Sequence, residues 1–543
     1  MTDAAATAGP IPQTPPSGPA PQKAMDGSTV NWGMLFLGFG GMVIGQFMAI
    51  LDIQIVSASL PQIQAGVGAS ADQVSWIQTA YLIPEVVMIP LSSYLSRLWG
   101  TQRVFLASCF GFIAMSVLAG LSTSIDFMIV TRALQGFVGG AMVPTVFATA
   151  FSAFPPERRT TANVITGMIV TLAPTIGPAL GGHVTEWLDW RWLFFINVGP
   201  GALSLFLVWR YGNFDKGDRS LATNFDWFGL SVMAVFLMSL QYVLEEGAKD
   251  NWFHEDKILW LAVLALITGT VFIWRNLTYF KPIVQLRAFQ DRNFALGVCM
   301  TAVSGASLYG GTFILPLFLG RIRGYSAAEV GTTMLVSGLC MFFTGPTIGS
   351  IVRKVDPRLP MIVGFGMVAW GMWLGHAVTA DWGFWQFAGL QAWRGVGVMV
   401  AMIATTQMTM STLTPQMIKD ASGMVNLSRN VGGAMAMALI STTLATQTAV
   451  HMNELSAAMS TASGEAVAMM NGLTMRMQQL GVTDPQGAAY KAMHYILYQK
   501  AQLLAFGDAF ALLSLGAVAA AFLSIFTAPA KMAPGGPDMS EAH

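Results

Sequence analysis

Fourteen separate apolar stretches run along the chain from Trp32 to about Ala528, parted by short polar segments, and each is long enough to cross a bilayer. They lie near 32–60, 74–96, 103–122, 126–151, 161–184, 192–211, 226–246, 258–279, 294–316, 327–352, 359–379, 383–411, 424–448 and 503–528, and are called spans 1 to 14. A hydrocarbon core about 30 Å thick takes roughly 20 apolar residues of helix. Only helices and closed barrels satisfy their backbone groups there. The pattern therefore predicts an all-α membrane protein with 14 transmembrane helices.

Composition agrees, with 54% hydrophobic and only 10% charged residues, against about 25% charged in an ordinary soluble domain. The 28 basic residues balance the 28 acidic ones, so no global field invites nucleic acid. Residues 1–31, rich in proline, alanine and glycine and lacking an apolar run, read as a disordered cytoplasmic tail. Cys109, Cys299 and Cys340 fall singly within spans and read as small core residues. With the N-terminus placed in the cytoplasm, that side collects 17 of the 28 Lys and Arg and the other side eight. The positive-inside rule then places both termini, including the tail 529–543, in the cytoplasm.

The chain also repeats itself. Pro90, Ser93 and Arg97 at the end of span 2 recur as Pro346, Gly349 and Arg353 at the end of span 10, an offset of 256. Arg132-x-x-Gln135-Gly136 in span 4 is echoed by Gln391-x-x-Arg394-Gly395 in span 12. Pro156 with Ala162 before span 5 matches Pro415 with Ala421 before span 13, at offset 259. One six-span unit is used twice, with spans 7 and 8 between the copies. The resulting 6 + 2 + 6 plan divides the chain into a first bundle (32–211), two inserted helices with flanking loops (212–293) and a second bundle (294–528). Many secondary transporters are built from such repeats, with the substrate site near the midplane and alternating access by rocking of the halves.

Local motifs carry a resemblance. Span 5 ends Gly177-Pro178-Ala179-Leu180-Gly181-Gly182, which is similar to the antiporter motif of the major facilitator superfamily. Glycines four apart let helices approach, and the proline removes a backbone hydrogen bond so that the helix can bend. Span 4, with Arg132, Gln135 and Gly136, resembles the arginine motif of that superfamily. Span 1 reads Leu51-Asp52-Ile-Gln-Ile-Val-Ser-Ala-Ser-Leu60-Pro61, similar to the signature of the 14-span drug:proton antiporters of the EmrB/QacA type. Trp190 to Asn197, Phe225 to Gly229 and Arg323 to Ser326 extend the match across the chain. Two departures stand out. Arg97 occupies the place where the superfamily's loop after span 2 usually has Asp, and Gln54 and Ser57 stand where Thr and Asn are usual.

Ionisable groups within spans are costly, roughly 2.5–3.5 kcal/mol each on insertion scales, and mark function by default. At about 1.5 Å per residue, Asp52 lies roughly 12 Å, Glu85 roughly 16 Å and Arg132 roughly 9 Å from the outer ends of their spans. Asp52, the acid of the signature, is the leading candidate for proton coupling, followed by Glu85 with Arg132 as their partner. Arg394 reads as a packing or gating residue, because arginine does not deprotonate in proteins. The six histidines show no ligand spacing, so neither a metal nor another cofactor is expected. The absence of a phosphate-binding loop argues against direct use of ATP, and nothing points to an enzyme.

Residues 447–502 form the one large element outside the spans, with helix-like stretches at 464–479 and 485–500 parted by Thr483-Asp484-Pro485. The first stretch spaces Ala468, Met469, Leu473, Met477 and Leu480 as an apolar face, and the second Tyr490, Met493, Ile496 and Leu497. The expected function is proton-coupled efflux of amphipathic or hydrophobic compounds. An exporter of one dedicated metabolite, lipid or siderophore is the alternative on the same scaffold. A membrane sensor or scaffold without transport is a reading of a different class. The resemblance further implies a bacterial inner membrane, a membrane-anchored periplasmic adaptor and an outer-membrane channel, and a role in antibiotic resistance.

Overall fold

The computed structural model describes residues 32–528 apart from 71–72, 224, 280–281, 414–416 and 461–463. The two terminal tails expected to be cytoplasmic lie outside the described residues. Within them every expected span is helical, and thirteen helices are long and apolar enough to cross a membrane. The remaining one is span 2, Trp76–Trp99, whose 24 residues include Gln78, Thr79, Glu85, Ser92, Ser93, Ser96 and Arg97. Its polarity has a structural reason. Span 2 is enclosed by spans 4, 7 and 13, and Thr79 donates to Glu246 of span 7 at 2.9 Å.

Helix ends follow local chemistry. Asp291 accepts from the Phe294 amide at 2.8 Å at the start of span 9, and Ser326 with Glu329 forms a capping box at the start of span 10. Gly100, with φ of 89°, turns the chain between spans 2 and 3, a conformation that glycine adopts without steric cost. Span 9 is interrupted by a π-helical turn, Ala306–Gly310.

Two differences from expectation lie around 447–502. Span 13 runs on as one helix, Ile418–Ser460, of 43 residues, and the second helix-like stretch is continuous with span 14 as Pro485–Ile525, 41 residues. The junction Tyr498-Gln-Lys-Ala-Gln-Leu-Leu holds good helix formers and no breaker, so no end is encoded there. Helices of this length measure roughly 60–65 Å at about 1.5 Å per residue, about twice the hydrocarbon core. Both must project well beyond the membrane. The projection is braced by His451 against Asp508 at 2.8 Å and by the helix Gly464–Gln479 packed on Pro485–Ile525. Leu473, Met477, Ile496 and Leu497 are half-covered and Met493 is buried, whereas Ala468, Met469, Leu480 and Tyr490 are exposed. Cys109 is buried, but Cys299 is exposed and Cys340 only half-buried. The expectation of three core cysteines is thus corrected, because apolar span residues face lipid as well as core.

Spans 1 to 6 pack among themselves, as do spans 9 to 14, and the halves meet along two seams, span 5 on spans 10 and 12 and span 13 on spans 2 and 4. The seams are repeat-related, since spans 2 and 5 correspond to spans 10 and 13. Close approach along the first seam is set by glycine. A Cβ on Gly331 or Gly345 of span 10 would lie 2.6 Å from Ala179 Cβ or 2.7 Å from Met168 Cγ of span 5. Span 7 touches span 2 of one half and span 13 of the other.

Candidate functional site

Asp52 is completely buried at the centre of a polar cluster contributed by three helices of the first half. Its Oδ2 accepts from Arg132 Nη1 at 2.6 Å, and its Oδ1 accepts from Asn197 Nδ2 at 2.7 Å and Gln135 Nε2 at 3.3 Å. Arg132 is equally buried. It donates from Nη1 to Gln135 Oε1 at 2.8 Å and from Nε to the Ile77 carbonyl at 3.2 Å. Its guanidinium lies 4.4 Å from the Tyr81 ring centroid. The Nη2 atom is buried without an acceptor among the described residues. Gly136 makes this geometry possible, because a Cβ there would collide with the Tyr81 carbonyl. The cluster therefore joins spans 1, 2, 4 and 6 through one ion pair.

Beside it lies a cavity of about 600 Å³, within the range that holds a drug-sized ligand. It extends from Ile89 and Pro144 at mid-depth to Ser57, Ser75 and Lys249 at the helix ends on one face. Glu85 lines this cavity and Asp52 does not. The Glu85 side chain makes no hydrogen bond or ion pair among the described residues. The two acids thus differ in kind, one sealed and saturated with donors, the other unpaired at the wall.

At the opposite, more basic face the halves are joined. Arg97 Nη2 lies 3.1 Å from Asp420 Oδ1 of span 13. Lys419 pairs with Asp215, which also accepts from the Thr101 amide at 2.8 Å, and deeper, at the floor of the cavity, Ser422 donates to the Pro144 carbonyl at 2.9 Å. Arg97, the departure from the family pattern, so finds its acid on the other half.

The remaining expected residues are distributed. A Cβ on Gly177 would collide with Gln54, and one on Gly181 would lie 2.8 Å from the Ile55 carbonyl. These glycines bring spans 5 and 1 together, with Pro178 on the cavity wall and Gly182 half-buried beside them. Arg394 mirrors Arg132, donating to Gln391 at 2.8 Å and Ser337 at 2.9 Å, but has no acid partner among the described residues and does not line the cavity. Sequence reasoning missed Asn197 as a partner of Asp52, although it closed a quoted family match. It also missed the cavity groups Gln241, Glu245 and Lys249 from the inserted span 7 and Tyr309 and Arg429 from the second half. The adjacent acids Glu245 and Glu246 at the end of an apolar span were the available signal for the former.

A many-helix membrane bundle of two repeat-related halves around a drug-sized cavity is the architecture of a multi-pass membrane transporter. Residues 42–437 match the Major Facilitator Superfamily. The chain is 36% identical to the colistin resistance protein EmrB of Acinetobacter baumannii, over 90% of this chain and 95% of that one. It is 30% identical to the fatty acid resistance protein FarB of Neisseria gonorrhoeae, over 85% and 89% of the two chains. Against the multidrug export protein EmrB of Escherichia coli the figure is 28%, over 83% and 87%. The fold is shared with a bacterial homologue of the human lysosomal transporter Spinster, solved in an inward-facing, unoccupied conformation, at a TM-score of 0.53 and 13% identity, covering 91% of this chain and 98% of that one. The chain belongs to the Major Facilitator Superfamily, in its EmrB-like branch of exporters.

Proposed function

We propose that the protein exchanges protons for amphipathic or hydrophobic compounds and exports them from the bacterial cytoplasm across the inner membrane, with both termini inside. The observation that carries this reading is the sealed Asp52–Arg132 pair beside a cavity whose wall holds the unpaired Glu85. With the basic face cytoplasmic, the joined halves at Arg97 and Asp420 make this an outward-facing state, and Glu85 is the acid that meets incoming protons. Protonation of Asp52 removes the charge that holds Arg132. Because Arg132 also bonds span 2 through Ile77 and its Nη2 lacks an acceptor, the loss is felt by four spans of one half at once. That couples a proton to rocking of the halves.

The names of the relatives, concerning colistin, fatty acid and multiple drugs, support an amphipathic rather than a purely polar substrate class. One proton falling through about 100 mV supplies about 2.3 kcal/mol, and a tenfold concentration ratio costs about 1.4 kcal/mol. A single electrogenic proton therefore sustains roughly 40-fold accumulation of a neutral compound. The exposed Val467, Met475, Leu480 and Tyr490 on the projecting hairpin are the surface to which a membrane-anchored periplasmic adaptor, leading to an outer-membrane channel, docks. In proteoliposomes an imposed proton gradient should drive ethidium accumulation, and collapse of the gradient by an ionophore should abolish it. Accumulation that survives the collapse refutes proton coupling.

A further inference from the structure

Arg429 on span 13 is a second buried arginine beside the cavity, and it lacks a counter-charge among the described residues. Its side chain is among the largest that are fully enclosed. Its Nη1 donates to Asn426 Oδ1 at 3.0 Å, one helical turn back. Nε and Nη2 are buried with no acceptor, and no carboxylate pairs with it among the described residues. The guanidinium is held over the Phe147 ring of the other half, 4.9 Å from its centroid. Gly305 fits directly against the Arg429 backbone, and the Tyr309 ring from the π-helical turn of span 9 packs on Gly433 one turn further on. Such π-turns recur at functional sites.

A buried guanidinium with two unmet donors is strongly disfavoured unless an anion completes it. Arg132 has its acid built in, and Arg394, which bonds Gln391 and Ser337 and leaves Nη1 unmet among the described residues, lies away from the cavity. Arg429, in contrast, lines the cavity together with Asn426, Asn430 and Tyr309, so that a ligand can supply the missing charge. We propose that Arg429 and the neighbouring Asn426 and Asn430 form an anion subsite of the substrate cavity, taking the carboxylate head of an amphipathic compound while its apolar part lies along the cavity wall. Guanidinium suits this because its planar fork of donors matches a carboxylate. Glu85 and Glu245 on other walls give the cavity opposite charge preferences at different places. The inference rests on the reading of this cavity as the transport site.

The test uses full-length protein in lipid nanodiscs at pH 8, where octanoate is ionised, since carboxyl groups titrate near about 4. Octanoate and octyltrimethylammonium share a tail and differ in head-group charge. Their dissociation constants are measured calorimetrically with subtraction of empty nanodiscs. In Arg429→Gln the ratio of octanoate to octyltrimethylammonium affinity should fall by about tenfold or more, whereas Arg429→Lys, which keeps the charge, should recover most of it. A ratio between two ligands is insensitive to a uniform loss of folded protein. A ratio in Arg429→Gln within about twofold of the wild type overturns the subsite. Wild type that binds the cation but not octanoate overturns the subsite alone, and wild type that binds neither overturns the cavity reading with it.

Discussion

Closure of the basic face by Arg97 and Asp420 can be trapped and then weakened. A Cβ built on Gly423 of span 13 lies 3.5 Å from Ser93 Cβ of span 2, within the range of about 3.5–4.5 Å spanned by disulfides. Ser93→Cys with Gly423→Cys, in a background lacking the three native cysteines, should therefore cross-link the two halves quickly under mild oxidation. The locked protein should stop transporting until reduced. Arg97→Ala should then slow the cross-link. Removing one partner of a buried ion pair costs about 3–5 kcal/mol. Arg97 is 18% exposed and Asp420 only 2%, so solvent reaches one partner, and we expect about 2–3 kcal/mol, or roughly 30- to 150-fold in the ratio of closed to open states. Cross-linking is followed by gel shift over time in nanodiscs, with Arg97→Lys as the charge-preserving control. A wild-type rate in Arg97→Ala, or failure of the disulfide to form in any variant, would refute the assigned closure.

Three further outcomes follow from particular contacts. Gly136→Ala should force span 4 away from the Tyr81 carbonyl, lowering the melting temperature by an amount equivalent to about 1–3 kcal/mol and reducing transport, whereas Gly472→Ala on the open hairpin, where a Cβ meets nothing, should change neither. Single cysteines at Gly472 and at Asp356 should differ in intact cells, the first reacting with an impermeant thiol reagent and the second protected; the reverse pattern would invert the orientation. Leu480→Glu with Tyr490→Glu should weaken co-purification with the proposed adaptor while ethidium transport in proteoliposomes continues, and undiminished co-purification would remove the hairpin from that role.

The helices and the duplicated unit were legible in the sequence because membrane spans are marked by long apolar runs and their ends by Gly, Pro and Arg. Asp52, Glu85 and Arg132 were legible as candidates because ionisable groups are rare within such runs. What lies opposite them was not. Arg97 and Asp420 are brought together by the crossing of spans 2 and 13, and no local spacing announces a partner on another half. Span 7 read as part of an insertion between the repeats, yet its Glu245 lines the cavity and its Glu246 holds Thr79, because span 7 packs on span 2 of one half and span 13 of the other. The separate ranks of Asp52 and Glu85 also changed meaning: depth along a helix says how far each acid is from an end but not whether it faces a cavity or a neighbouring arginine. Likewise 447–502 reads as an element with two helix-like stretches set apart from the spans, although nothing in its sequence breaks the helices where it joins them.

Asp52 as the acid that exchanges its proton for substrate is the centre of the account. The direct measurement is substrate-dependent proton movement in proteoliposomes containing a trapped pH-sensitive dye, with ethidium added outside. Wild-type protein should move protons opposite to ethidium, while Asp52→Asn, which keeps the size and hydrogen bonds to Arg132 or Asn197 but cannot titrate, should still bind ethidium and move no protons. Ethidium-driven proton movement by Asp52→Asn at the wild-type rate would contradict the account.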